Sequence, residues 1–121
     1  MKLRILDDTI RLRLERSEVE ALANGSDIAA HTHFPGGRIF GYRLRTASAA
    51  AAAFADDTIT VSLPESDVSA WSADETAVSL RAQFGVSSGE LRVLVEKDFE
   101  CLEPRAGESQ ANRFRNPKAV N

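Results

Sequence analysis

The chain has 121 residues, of which 43% are hydrophobic and 27% charged, with a formal net charge of −3. That balance is ordinary for a folded protein, and so small a charge gives no argument for nucleic acid or a membrane surface. No apolar run approaches the ~20 residues of a membrane-spanning helix, MKLRILDD lacks the apolar stretch of a secretory leader, and the single Cys101 allows no intrachain disulfide. We expect a cytoplasmic protein with no membrane contact.

In chain order, Lys2–Leu6 is read as a strand that turns at Asp7-Asp8 into a second one. There Ile10, Leu12 and Leu14 alternate with Arg11 and Arg13, the period of two of a half-buried strand. Ser17-Glu18-Val19-Glu20 has the residues of a capping box. Val19 and Leu22 share one helix face, and Asn24-Gly25 supplies a left-handed stop. Ile28, Ala30, Thr32 and Phe34 then alternate with polar neighbours, Pro35-Gly36-Gly37 turns, and Phe40, Tyr42 and Leu44 mark another strand.

The pattern now starts again. DDTIRLRLERSEVEAL from Asp7 and DDTITVSLPESDVSAW from Asp56 lie 49 residues apart and share eight of sixteen residues. TASAAAAAFADD is read as a linker running into a short strand at Ala51–Ala55. Ile59, Val61 and Leu63 repeat the alternation, Pro64 opens a helix carrying Val68 and Trp71, and Val78, Leu80, Ala82 and Phe84 follow. Ser87-Ser88-Gly89 turns into Leu91, Val93 and Val95. Helices this short are held by packing, since propensity alone does not sustain them.

The predicted fold is α+β, mostly β with two short helices. Two ββαββ units, about 1–46 and 50–97, share one core as a pseudo-twofold barrel or a two-sheet sandwich. They form a single domain over residues 1–103, followed by a loosely ordered tail at 104–121.

Two resemblances bear on this reading. TITVSLPESDV followed by SGELRVLVE resembles the swapped-hairpin domains of AbrB-type regulators and MazE-type antitoxins, over Asp7–Arg45 and Asp56–Glu96. That resemblance implies an interlocked barrel and DNA binding. The opening MKLRILDDTIRLRLERSEV, the segment LVEKDFECLEPRAGE and the FRNP at Phe114–Pro117 resemble a family of small uncharacterised bacterial proteins. This second resemblance covers most of the chain and implies no activity.

Chemistry is sparse. Lys2, Arg4, Arg11, Arg13, Arg43 and Arg45 all fall on the non-core side of their strands, and would form one basic face if those strands adjoin. Residues 1–49 hold eight basic and six acidic side chains, and residues 50–97 three and eight, so the matched units differ in surface charge. A basic face suits an acidic protein or nucleic-acid phosphates; the plainer reading is a solvated surface. It has no interleaved aromatics, which disfavours single-strand stacking.

His31 and His33 share a strand face and, with Cys101, make the only candidate metal set. We favour an outward polar face for the histidines and expect no metal, because alignment of the units puts them at the places of Arg81 and Gln83. Asp98, Phe99, Cys101, Arg105 and Glu108 form a tail motif suited to docking a partner. The acidic neighbours of Cys101 oppose a thiolate. Nothing has the spacing of a phosphate loop or nucleophile elbow. We expect a non-catalytic binding or assembly protein without a cofactor, a homodimer being compatible with it. The competing readings are a DNA-binding regulator or antitoxin and a small metal-dependent enzyme.

Overall fold

The computed structural model describes residues 1–99. Elements follow in the order β1 (Lys2–Leu6), β2 (Thr9–Leu14), α1 (Arg16–Ala23), β3 (Ile28–His33), β4 (Ile39–Ala47), β5 (Ala51–Ala55), β6 (Thr58–Pro64), α2 (Glu65–Ala73), β7 (Ser79–Val86) and β8 (Gly89–Lys97). This is the expected ββαββ order twice, and the alanine-rich stretch does end in a strand.

Each unit lends half of itself to the other. The sheets have the orders β1-β2-β8-β7 and β3-β4-β6-β5, so each joins the first hairpin of one unit to the second hairpin of the other. The central pairs are parallel: Ile10 stands beside Val93 and Leu12 beside Val95 in one sheet, Ile59 beside Tyr42 and Val61 beside Leu44 in the other. These pairings are equivalent, because the first hairpins correspond at an offset of 49 and the second at 51. The sheets are open, with no closed barrel: β1, β7, β3 and β5 are their edges.

The apolar alternation becomes one core. Leu12, Leu14, Leu22, Leu44, Val61, Val68, Trp71, Val93 and Val95 belong to a single buried cluster drawn from both units and both sheets. The helices, which pack on each other, contribute Val19, Leu22, Val68 and Trp71 to it. Each such side chain is worth about 1.5–3 kcal/mol of burial before entropy. No helix among the described residues is long and apolar enough to cross a membrane.

Helix ends differ in detail from expectation. β2 runs through Leu14 and the chain turns at Glu15, so α1 starts one residue before Ser17, which caps nothing. Glu18 does the capping: its Oε1 accepts from the Glu15 backbone N–H at 2.9 Å, and its Oε2 meets the Met1 ammonium at 2.6 Å. Gly25, at φ 95°, closes α1 with Gly25 N–H to Leu22 O and Ser26 N–H to Ala21 O, the paired bonds of a Schellman end. α2 has no such glycine. Instead Lys97 Nζ donates to Trp71 O at 2.8 Å and Asp74 O at 2.9 Å, and lies 5.4 Å from the Trp71 ring centroid. A cation at a helix C-terminus is favoured by the carbonyls left free there.

Candidate functional site

With the apolar residues of β1, β2, β7 and β8 turned inward, the alternate residues share the outer face of their sheet. Strand register arranges them in rungs. One rung is Leu6, Thr9, Arg92 and Gln83; the next is Arg4, Arg11, Leu94 and Arg81; the third is Lys2, Arg13, Glu96 and Ser79. Six cations thus share this face, but they are not the six expected.

Lys2, Arg4, Arg11 and Arg13 are there. Arg43 and Arg45 are not: they stand on β4 in the other sheet, where Arg43 lies 3.7 Å from Asp27 and Arg45 donates to Ser62 Oγ at 3.3 Å. The second unit supplies Arg81 and Arg92 to the face instead, while Leu94 and Glu96 stand at the positions equivalent to Arg43 and Arg45. The sequence hides this substitution, because it depends on which hairpin each unit pairs with.

The acids present neutralise only part of the face. Glu96, half-buried among the strands, lies 3.6 Å from Arg13 and 4.0 Å from Arg11, and Asp98 lies 3.2 Å from Lys2. Arg92 has Glu90 at 4.0 Å. Arg4 and Arg81 make no ion pair among the described residues, and both are exposed. Register sets Arg4 directly opposite Arg11 and Lys2 directly opposite Arg13. Like charges facing each other across antiparallel strands are destabilising.

The equivalent face of the other sheet carries two cations, Arg43 and Arg45, among mostly small residues. Its rungs are Ala55, Thr58, Gly41 and His31; Ala53, Thr60, Arg43 and Ala29; Ala51, Ser62 and Arg45. Gly41 keeps it flat, since a Cβ there would meet Thr58 Oγ1 at 3.1 Å and His31 Cδ2 at 3.3 Å. Ala53 matches Arg4, Thr60 matches Arg11, and Ser62 matches Arg13. One framework therefore carries two differently charged surfaces.

His31 and His33 lie on the edge strand β3, opposite Gly41 and Ile39. Their true counterparts are Gln83 and Gly85, two residues beyond the expected places, since Gln83 is the residue that faces Arg92; a slip of two preserves the face. No third His, Cys, Asp or Glu joins them among the described residues. In the tail motif, Phe99 is 58% exposed, and Cys101, Arg105 and Glu108 lie outside the described residues.

An open recess of about 760 Å³ is lined by Leu14, Val19, Ala73 and Phe99 together with Glu15, Glu20, Glu75 and Asp98 and the cations Arg16 and Lys97. Ser72 also lines it, and no hydrogen bond joins that hydroxyl to a carboxylate among the described residues. The basic face is the more distinctive surface.

Comparison with curated proteins and with solved structures finds no match. The sequence model of a family of unknown function, DUF7009, matches residues 1–118, and the chain belongs to that family.

Proposed function

We propose that this is a non-catalytic binding module that takes an acidic segment of a partner protein on the outer face of β1, β2, β8 and β7. The observation that carries the reading is that strand register sets like charges opposite each other, Arg4 facing Arg11 and Lys2 facing Arg13. The fold does not need them, because the equivalent rungs of the other sheet hold Ala53 opposite Thr60 and Ala51 opposite Ser62. Carboxylates laid across these rungs would relieve the repulsion and gain charge-assisted hydrogen bonds from Arg4, Arg11 and Arg81.

An acidic protein suits the face better than a nucleic acid does. A sheet four strands wide does not enter a major groove that admits a helix or a two-stranded ribbon, and the face has no aromatic on which a base would stack. The chain as a whole is at −3, so a long polyanion that reached beyond the cations would meet repulsion.

Titration of a fluorescent oligoglutamate peptide, followed by anisotropy at low salt and again at high salt, tests this. Binding that weakens with salt and is lost in the double variant Arg4→Ala/Arg11→Ala is expected. Duplex DNA bound more tightly than the peptide would favour the regulator reading instead, and no binding of the peptide would overturn the proposal.

A further inference from the structure

We infer that β5 is a self-association strand, joining two copies of this chain edge to edge. Of the four sheet edges, three carry ionisable side chains: Lys2 and Arg4 on β1, His31 and His33 on β3, Arg81 on β7. Charged residues on an edge prevent it from pairing with another chain. β5 reads AAAFA and has neither charge nor proline, and its Phe54 is 66% exposed. Its counterpart β1 has Lys2 and Arg4 where β5 has Ala51 and Ala53, so only one of two matched edges is guarded.

The strand is complementary to itself. A two-residue turn at Asp56-Asp57, both with positive φ, makes Ala55 and Thr58 the closing hydrogen-bonded pair, with bonds at alternate residues thereafter. Ala51, Ala53 and Ala55 thus bond to β6, and the free N–H and C=O groups belong to Ala52 and Phe54. An antiparallel copy centred on Ala53 sets Ala52 against Phe54 of the second copy, and Phe54 against its Ala52. All four free donors and acceptors on each strand are then satisfied, and each exposed ring lies over a small residue. At the centre, alanine faces alanine without steric or electrostatic cost.

Charge favours the same register. With Ala51 opposite Ala55 of the second copy, Asp56 of that copy falls opposite Ala50. Ala50 lines a recess of about 180 Å³ together with Arg81 and Asp67, which make no ion pair with each other. Asp56 makes no ion pair among the described residues, nor does Arg81, and the twofold sets each Asp56 beside a recess in which Arg81 is the one lining cation. β1 has no such option: centred on Arg4 it would set arginine against arginine.

Five residues a side bury less than the ~1,200 Å² of a standard interface, so the dimer belongs to the weak, concentration-dependent class. Sedimentation equilibrium over a range from a few micromolar to near-millimolar protein should show monomer passing into dimer. Ala53→Lys should abolish the dimer while leaving far-UV circular dichroism unchanged, since the matching position already tolerates Arg4. Phe54→Ala should weaken it about tenfold, and Arg4→Glu on β1 should leave it unaffected. A wild-type chain that stays monomeric throughout, or a dimer that survives Ala53→Lys, would overturn the inference.

Discussion

Asp74 sits just beyond α2 and shows how one side chain can stand in for a helix stop. Its carboxylate accepts from the Thr76 backbone N–H at 2.9 Å and from Thr76 Oγ1 at 2.7 Å, while its own carbonyl accepts from Lys97. The Thr76 hydroxyl and then its backbone N–H hold the Asp74 carboxyl below the usual carboxylate range, with a smaller contribution from the Lys97 charge. A depressed folded-state pKa stabilises the fold above the unfolded carboxylate value of about 4. That contribution disappears as pH falls through the lower folded value. Asp74→Asn should therefore be less stable than the parent at neutral pH, and urea titrations at decreasing pH should show the gap closing below about pH 4. At this same scale sequence reading located Val19, Leu22, Val68 and Trp71 but misplaced the N-terminal cap of α1, because Glu15 turns the chain before Ser17 is reached.

Among elements, the β1–β2 hairpin sets stability against binding. Arg4 faces Arg11 with no acid partner among the described residues, so Arg4→Ala, the residue of the matching strand, should stabilise the protein. The expected gain is ~0.2–1 kcal/mol in low-salt urea unfolding, shrinking as salt screens the repulsion. The same change should weaken the acidic peptide. An Arg4→Ala protein that is less stable at low salt would mean that the arginine serves the fold, and the binding argument would lose its footing. The strands themselves were legible, since alternation of Ile10, Leu12 and Leu14 with arginines leaves one way to bury them. Sequence matching also revealed that the two units carry different charges. It did not reveal the face those charges share.

The whole molecule depends on exchanged hairpins. β2 has its parallel neighbour in β8, and β4 in β6, so neither unit contains a complete sheet. A fragment of residues 1–48 should lack a cooperative unfolding transition as a monomer, by circular dichroism during thermal melting, and regain structure on mixing with residues 49–99. A first unit that folded alone as a monomer would contradict this. The sequence by itself determined the two ββαββ units, their apolar faces and their turns, because periodicity, Gly25 and the Asp-Asp turns act within a few neighbouring residues. Only the tertiary structure decided that Arg81 and Arg92 join Lys2, Arg4, Arg11 and Arg13 while Arg43 and Arg45 leave them, and that the sheets stay open. Pairing between distant strands depends on the summed burial of both units, and the alternation of a single strand carries no record of its neighbour.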